Sequence, residues 1–421
     1  MRNVNTALQQ AASCEKAVLA NGLTVLVCPM PQFTGVHAVY GTNFGSIDRD
    51  FVLNEEEIHL PAGVAHFLEH KMFENEEGDA FTLYAKTGAN ANAYTSFDKT
   101  CYVFTASGKV EENLDILLSF VSRPHFTAET VAKEQGIIGQ EIKMYEDAPE
   151  WRVMFALLEG LYHTHPVRDD IAGSVDSIAK ITPQMLYKCT DAFYCPQNMA
   201  LCVAGNVTMQ QVLAACERAH LPAKQASVQR IRTAEPLTVA RPFTELTMAV
   251  ATPTLGVGFK EAPLTGDVCK GEYIADMLGE LIVGNMTPLY RRLYDEGLVN
   301  GDFSGEFFSL DGCLAILFSG ETQYPEKVRE LLLAEIRRLK TEGADEEIFT
   351  LCKNMMYGEM VRYLENIESV AASQLGAHFK GRTLADEIAS LAALTINDIN
   401  AALQTMLCEQ RSATVIIRNK R

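Results

Sequence analysis

One arrangement of helices occurs twice in this chain of 421 residues. In each half, a segment with the apolar periodicity of an amphipathic helix is followed after a short break by a longer helical segment: 110–147 in the first half and 325–361 in the second. Strand-like segments such as 23–30 and 252–261 precede both pairs. The repeated order predicts an α+β fold of two similar α/β-roll domains, each an antiparallel-rich sheet packed with helices, that arose by duplication.

The boundary between the two domains is indicated by a change in pattern. The chain is too long for one ordinary core. Residues 219–241 are polar, charged and interrupted by prolines, and they lose the periodicity of their neighbours. We therefore predict an N-terminal domain at 1–220, a linker at 221–240 and a C-terminal domain at 241–421.

The composition limits the classes of function. A hydrophobic content of 48% with 21% charged residues is typical of a soluble globular protein. The net charge of −18 argues against a nucleic-acid partner, because phosphate binding needs a basic surface. The sequence has no apolar run long enough for a membrane span, and its N-terminus lacks the pattern of a signal peptide. We therefore expect a cytoplasmic protein with neither a membrane nor a nucleic-acid partner.

The eleven cysteines contain no C-x-x-C pair, and their number is odd. Most fall in apolar segments, such as those around Cys28 and Cys202. This pattern is typical of reduced core thiols in a reducing compartment rather than of a disulfide framework.

The segment GVAHFLEHKMFE at 63–74 places two histidines four residues apart. If it is helical, His66, Glu69 and His70 share one face, and apolar residues on the other face anchor the helix to a core. Two imidazoles one turn apart can both reach a tetrahedral zinc ion, and a carboxylate beside the ion can take a proton from water. A chance match is the alternative for this motif considered alone.

A third zinc ligand has three candidates in the helical segment 128–147, namely Glu134, Glu141 and Glu146. Glu134 and Glu141 are seven residues apart and share an apolar stripe with Ile137 and Ile138, so we expect that face to be mostly buried. A buried carboxylate requires a cation or strong hydrogen bonds. A solvated helix face is the alternative for any one of these glutamates.

Four further segments accompany the histidine segment in chain order: 88–104, 133–151, 165–182 and 193–207. Together the five segments resemble the inverzincin metallopeptidases, which include pitrilysin, the insulin-degrading enzymes and the mitochondrial processing peptidases. The sequence is most similar to the YmfH-like bacterial branch of the family. The first half resembles it closely in sequence, and the second half resembles it in architecture. The resemblance implies a processing-peptidase-like zinc metalloendopeptidase that hydrolyses extended peptides.

The same resemblance implies roles for individual residues. His66, His70 and Glu141 would bind one zinc ion per chain. Glu69 would be the general base that takes a proton from zinc-activated water. Glu134 would orient a ligand from outside the coordination shell.

The resemblance further implies a substrate-binding strand at the edge of a sheet, where an extended peptide adds by β-pairing. Its residues are Asn92, Ala93, Tyr94 and Thr95. An ordinary strand is the alternative for this segment. The competing pair His163 and His165 has no ligand counterpart in the family, and we interpret it as structural.

The second half departs from the family at one point. Active members usually carry an arginine and a tyrosine seven residues apart, around a Gly-Leu pair, that reach the substrate carbonyl. Alignment on the Gly-Leu pair puts Leu293 and Asn300 at those positions. Arg291, Arg292 and Tyr294 are close but out of register.

Because this arginine–tyrosine pair is missing, we expect the chain to act as one subunit of a homo- or heterodimer. The preferred partner is a relative that carries the pair. Two alternatives stay open. One is a non-catalytic peptide-binding or structural subunit that keeps the zinc motif, and the other is a self-sufficient peptidase dimer that uses Arg291 or Arg292 differently.

Overall fold

The structure is a computed structural model that describes residues 14–76 and 78–420. Residues 1–13, on which the signal-peptide prediction partly rests, lie outside the described part. The strands are β1 (Glu15–Val18), β2 (Thr24–Pro29), β3 (Val36–Thr42), β4 (Asp50–Leu53), β5 (Glu56–His59), β6 (Glu74–Asn75), β7 (Gly78–Asp79), β8 (Asn90–Thr95), β9 (Thr100–Ala106), β10 (Met199–Gly205), β11 (Val228–Arg230), β12 (Phe243–Met248), β13 (Thr254–Glu261), β14 (Ser304–Leu310), β15 (Cys313–Glu321) and β16 (Ser412–Asn419).

The helices are α1 (Val64–Met72), α2 (Ala80–Thr87), α3 (Val110–Ser122), α4 (Ala128–Glu146), α5 (Pro149–Leu161), α6 (Val175–Ile178), α7 (Pro183–Phe193), α8 (Met209–Ala219), α9 (Val268–Val283), α10 (Pro288–Asp295), α11 (Pro325–Glu342), α12 (Glu346–Leu364), α13 (Ile367–Phe379), α14 (Leu384–Ala393) and α15 (Ile396–Thr405). The two predicted helix pairs are therefore present as α3–α4 and α11–α12. None of the helices in the described part is both long enough and apolar enough to cross a membrane.

Two sheets share one strand order. The first runs β1-β2-β10-β3-β9-β8 and the second runs β12-β16-β13-β15-β14. If β1 is set aside, the first two strands of each sheet are parallel and every later neighbour is antiparallel. This repeated topology confirms the predicted fold class of two similar, antiparallel-rich units packed with helices.

The chain forms two compact units, and each unit takes segments from both halves of the sequence. The first unit contains the described residues up to Ile142 together with 170–231 and 360–388, and the second contains 143–169, 232–359 and the residues from Ala389 onward. The chain passes from one unit to the other at several points, and one of these crossings, between Ile231 and Arg232, lies inside the linker predicted at 221–240. Two other crossings occur inside the long helices α4 and α12, where the helical pattern continues without a break.

The exchange of helices explains why the units are not contiguous in sequence. Helix α13 follows the second helix pair but packs on β3 and β10 of the first sheet, whereas α5 follows the first pair but packs on β13 and β16 of the second. Glycines on the corresponding strands allow this close approach. A Cβ at Gly41 would lie 2.6 Å from Cδ2 of Leu375, and a Cβ at Gly256 would lie 2.6 Å from Cγ2 of Val153.

Candidate metal centre

Helix α1 presents the predicted histidine pair from a fixed base. It begins after Gly63, whose φ of 89° lies in the left-handed region that favours glycine. Val64, Phe67 and Leu68 are buried, at no more than 1% exposure. This packing of the apolar face, expected from the sequence, sets the direction in which the polar face of the helix points.

Three side chains from two helices meet at this polar face. Nε2 of His66 lies 3.7 Å from Oε1 of Glu141, and Nε2 of His70 lies 3.4 Å from Oε2 of the same residue. One ligand atom from each of the three residues lies within 4.8 Å of the others. Across residues 14–76 and 78–420, no other group of three histidines, cysteines or acidic residues meets this criterion. The structure therefore brings together the residues predicted to bind zinc.

The chemistry of this donor set fits zinc. Two ligands that each lie about 2.1 Å from a tetrahedral zinc ion are roughly 3.4 Å apart, which is close to the nitrogen–oxygen spacings around Glu141. Burial, and secondarily the charge of His70, lowers the pKa of His66 to about 3. Its imidazole is therefore neutral, and a lone pair is available to a cation.

Glu134 holds His70 from the side away from Glu141. Nδ1 of His70 lies 3.0 Å from Oε1 of Glu134. An ionised carboxylate can only accept, so Nδ1 donates this hydrogen bond and Nε2 is left facing Glu141. Burial lowers the pKa of His70, but the bond to Glu134 and the nearby carboxylate charges raise it, with a net increase.

Glu69, the predicted general base, is buried at 7% exposure beside the histidines. Its Oε2 accepts a hydrogen bond from the hydroxyl of Thr95 at 2.7 Å. Burial raises the pKa of Glu69 despite this bond. A carboxylate whose pKa is moved toward neutrality is better suited to accept and return protons than an ordinary glutamate.

Strand β8 is the edge of the first sheet, as predicted, and among the described strands it pairs only with β9. Asn92 and Ala93 line a cavity of about 590 Å³ that is also lined by Glu69 and His70. The other two residues predicted to bind substrate are absent from this lining, and of these Tyr94 is 37% exposed. The middle residues of the edge strand therefore line the cavity beside the candidate metal centre, and Thr95 at the end of the strand bonds Glu69.

The expected burial of the stripe on α4 is wrong at Ile137, which is 47% exposed and lines the same cavity. The buried face of α4 instead follows Val131, Glu134, Ile138 and Ile142. These residues recur every three or four positions, so Ile137 is turned about 100° away from its neighbour at 138. An apolar side chain is consequently left beside the metal centre.

Neither His165 nor Glu146 belongs to the group formed by His66, His70 and Glu141. Nε2 of His165 lies 2.8 Å from the carbonyl oxygen of Asp311, and its Nδ1 accepts from the backbone N–H of Val167 at 3.1 Å. Both ring nitrogens are therefore used, in keeping with the structural interpretation of this pair. Glu146, the last of the three glutamates considered, is the final residue of α4.

The positions where the family usually carries arginine and tyrosine are occupied differently in the second unit. Leu293 is completely buried in α10. The side-chain amide of Asn300 donates to Oε2 of Glu321 at 3.1 Å. Tyr294, which is out of register, is 53% exposed.

Two contacts at the centre join residues far apart in the sequence and carry no signal in it. Lys71 is completely buried and bonds Glu74, three residues away, at 2.5 Å; its longer-range contact, the first of the two, places Nζ 4.0 Å from Oε2 of Glu134. The bond from Thr95 to Glu69 is the other. A single sequence does not reveal either contact, because each depends on how α1 packs against its neighbours.

Comparison with known proteins identifies the family. Residues 55–175 match the family described as insulinase (peptidase family M16), and residues 180–356 match the peptidase M16 inactive domain. The chain is 36% identical over 412 residues, 96% of each chain, to YmfH of Bacillus subtilis, named as an uncharacterised zinc protease. The chain belongs to peptidase family M16.

Solved structures agree with this assignment. The crystal structure of an M16-like peptidase from Alicyclobacillus acidocaldarius has a TM-score of 0.93 and 33% identity, and the match covers 97% of this chain and 98% of that one. The periplasmic protease PqqL of Escherichia coli shares the fold at a TM-score of 0.75 and 19% identity. That match covers 97% of this chain but only 48% of PqqL.

Proposed function

We propose that this chain is a zinc-dependent metalloendopeptidase of the inverted H-x-x-E-H type that hydrolyses extended peptides. The observation that carries the proposal is the meeting of His66, His70 and Glu141 with Glu69 beside them. One zinc ion held by the first three residues would polarise the peptide carbonyl and lower the pKa of a bound water to about 7.

The chain's own residues then have separate tasks. Glu69 accepts a proton from the attacking water and delivers it to the leaving amine. Thr95 fixes the orientation of the Glu69 carboxylate through the bond at 2.7 Å. Glu134 keeps Nδ1 of His70 protonated, so that Nε2 is the ligand atom.

The substrate in this proposal adds to the free edge of β8 as an extended strand. Backbone pairing at Asn92 and Ala93 accepts many side chains, so we expect a broad sequence preference. A compact folded protein should resist cleavage because it offers no free strand. The assay compares an unfolded polypeptide with the same polypeptide in a stable folded form, and equal rates for the two would contradict this mode of binding.

The test of the metal chemistry is zinc analysis and peptide hydrolysis in matched variants. We expect Glu69→Gln to keep one zinc per chain and lose hydrolysis, because it removes the base and no ligand. His66→Ala should lose both zinc and hydrolysis. Glu146→Gln, at the end of the helix that carries Glu141, is the control and should lose neither. Stoichiometric zinc in His66→Ala would place the metal elsewhere.

We further propose that the chain works with a partner subunit, either a second copy or, preferably, a relative that carries the arginine–tyrosine pair. The support is the burial of Leu293 and the engagement of Asn300 by Glu321. The loss of one oxyanion donor costs about a hundred- to a thousand-fold in turnover. The match covers only 48% of PqqL, so the PqqL chain is long enough to contain a second pair of units like the pair in this chain.

The partner proposal is tested by assaying the chain alone and then mixed with a relative that carries the pair. A large gain on mixing that disappears with Glu69→Gln in this chain supports it. Full activity of the lone chain, unchanged when Arg291, Arg292 and Tyr294 are each replaced by alanine, would contradict it.

A cytoplasmic location without membrane or nucleic-acid partners remains the prediction from composition.

A non-catalytic subunit that holds peptides is the second candidate. It is favoured by the same observation, that Leu293 and Asn300 occupy the positions where the family usually carries the arginine–tyrosine pair. The two functions are separated by measuring peptide binding and turnover on the zinc-loaded chain with its partner present. Binding without turnover that is insensitive to Glu69→Gln would favour the non-catalytic subunit.

A further inference from the structure

Three cysteines lie together on one face of the first sheet, at the edge opposite β8. Cys28 is in β2, Cys202 is in β10, and Cys14 immediately precedes β1. Side chains of α13 cover the same apolar cluster. All eleven cysteines of the chain are free thiols. Cys28 and Cys202 are buried, whereas Cys14 is only half-buried.

Cys14 lies directly opposite Cys28. The register of β1 with β2, continued by one residue, pairs these two positions. At the turn that joins the strands, the N–H of Leu19 donates to the carbonyl of Leu23 at 2.9 Å, which makes these residues a hydrogen-bonded pair. Hydrogen-bonded and non-hydrogen-bonded pairs alternate along an antiparallel ladder. Because an odd number of steps separates the two positions, Cys14 and Cys28 form a non-hydrogen-bonded pair.

This kind of pair has the geometry that a disulfide needs. Opposite Cα atoms in a non-hydrogen-bonded pair are about 4.5 Å apart, within the range of about 4.4–6.8 Å found for disulfides. Cys202 is opposite Leu26 on the next strand and is therefore diagonal to Cys28. The register thus places Cys28 opposite Cys14 and Cys202 one strand further away, although both thiols lie within hydrogen-bonding reach of Cys14.

The three thiols also differ in acidity. Hydrogen bonds from Cys202 and then Cys28 lower the pKa of Cys14 to about 4. The bond to Cys14, together with burial, holds the pKa of Cys28 above its ordinary range. The thiolate is the reactive form of cysteine, so the least buried of the three residues also holds the largest thiolate fraction at neutral pH.

We propose that Cys14 and Cys28 form a reversible redox pair in which Cys14 reacts first with a peroxide. The Cys14 thiolate attacks one oxygen of hydrogen peroxide and breaks the O–O bond, which gives a sulfenic acid and, after protonation of the departing hydroxide, water. The sulfur of Cys28 then attacks that sulfur, forms the S–S bond and releases a second water. The two thiols lose two electrons, and the peroxide gains them. A small dithiol restores both thiols by exchange.

The resulting disulfide ties β1 covalently to β2 at the edge of the sheet. The proposal rests on the register and on the environment of the thiols, and it is independent of the peptidase chemistry. It therefore succeeds or fails whether or not the chain hydrolyses peptides.

The first measurement is the rate of alkylation of each cysteine in the full-length folded chain by a limiting amount of iodoacetamide near neutral pH, followed by peptide mass spectrometry. We expect Cys14 to react at least tenfold faster than Cys269 and Cys408, which are also half-buried but lie outside the strands. Equal rates for the three residues would overturn the assignment of Cys14 as the reactive thiol.

The second measurement treats the chain with equimolar hydrogen peroxide and maps disulfides under non-reducing conditions. We expect one linked peptide pair, Cys14 with Cys28, that dithiothreitol reverses. Cys28→Ala should leave Cys14 as a sulfenic acid that dimedone traps. Cys14→Ser, a change of one atom at a half-buried position, should leave Cys28 reduced. A Cys14–Cys202 link in the unchanged chain, or oxidation of Cys14 directly to the sulfinic acid, would overturn the proposal.

Discussion

The two sheets share one strand order, yet equivalent helices carry different polar side chains. In the first unit, α1 bears two histidines four residues apart and α4 bears Glu141. In the second unit, α9 follows β13, the strand that corresponds to β3 of the first sheet. This helix bears Asp276 and Glu280, which are also four residues apart. Glu359 occupies the same position along α12 as Glu141 along α4, and both helices have 19 residues. The duplicated backbone thus offers a similar place for polar groups twice.

The difference teaches that side-chain chemistry decides what such a place holds. Two imidazoles and one carboxylate make a donor set for zinc. At the corresponding place in the second unit, the three residues Asp276, Glu280 and Glu359 all carry carboxyl groups. Burial first, and then the charge of Glu359, raises the pKa of Asp276 to about 6. Burial, followed by the charges of Asp276 and Glu359, raises the pKa of Glu280 to about 7. One place suits a metal, and the other retains protons.

The largest expected effect is on kcat, and it should distinguish the first unit from the second. We expect Glu69→Gln to lower kcat by about a hundred- to ten-thousand-fold, because a general base is lost. The matched change in the second unit, Glu280→Gln, should leave kcat unchanged. Steady-state kinetics of both zinc-loaded variants measure this difference. A loss of similar size in Glu280→Gln would show that the second unit takes part in the chemistry.

The next effect concerns stability and belongs to the second unit. Nζ of Lys260 is buried and donates to Oε1 of Glu235 at 2.6 Å and to the carbonyl of Leu161 at 2.9 Å. We expect Lys260→Met to lower the free energy of unfolding by about 3–5 kcal/mol, because it leaves a buried carboxylate without its cation.

The matched control for this ion pair is Lys327→Met, which removes an exposed lysine that pairs with Glu296 at 3.3 Å. Its expected cost is below about 1 kcal/mol, as for surface ion pairs in general. Urea denaturation of both variants at one pH gives the comparison. Equal costs would mean that the buried pair contributes no more than a surface pair.

A smaller effect sharpens the description of the first unit. Thr95→Val removes the hydroxyl that bonds Glu69 and keeps the shape of the side chain. A hydrogen bond to a charged group contributes about 1.5–3 kcal/mol, so we expect kcat to fall about ten- to a hundred-fold. Zinc content and KM should stay near those of the unchanged chain, and Thr95→Ser should restore most of kcat. No rescue by serine would point to a packing role instead.

The smallest expected effect is a pH dependence in the second unit. Because the folded state holds the pKa values of Asp276 and Glu280 above their usual values near 4, the unfolded state loses these protons first as the pH rises. Their contribution to stability is therefore present at low pH and is lost between about pH 4 and pH 7. We expect Glu280→Gln to flatten this fall. Urea midpoints across that pH range test it, and parallel curves for the two proteins would contradict it.

Much of the fold followed from local patterns. The paired helices and the strands around them have periodicities that are set within each segment, so their positions could be predicted closely. The face shared by His66, Glu69 and His70 was predictable for the same reason, since three and four residues make about one helical turn. The burial of Ile137 was predicted wrongly, because the edge of a buried helix face depends on which neighbour covers it.

By itself, the sequence determined the duplicated order of elements and the residues that could bind a metal, because each depends on neighbours along the chain. It left both Glu134 and Glu141 open as the third ligand on residue chemistry, and only the resemblance to a family separated them. The tertiary structure decided the rest: which glutamate faces the histidines, the bond from Thr95, and the exchange of α5 and α13. These are contacts between residues far apart in sequence, such as His70 and Glu134, 64 positions apart, and packing alone fixes them.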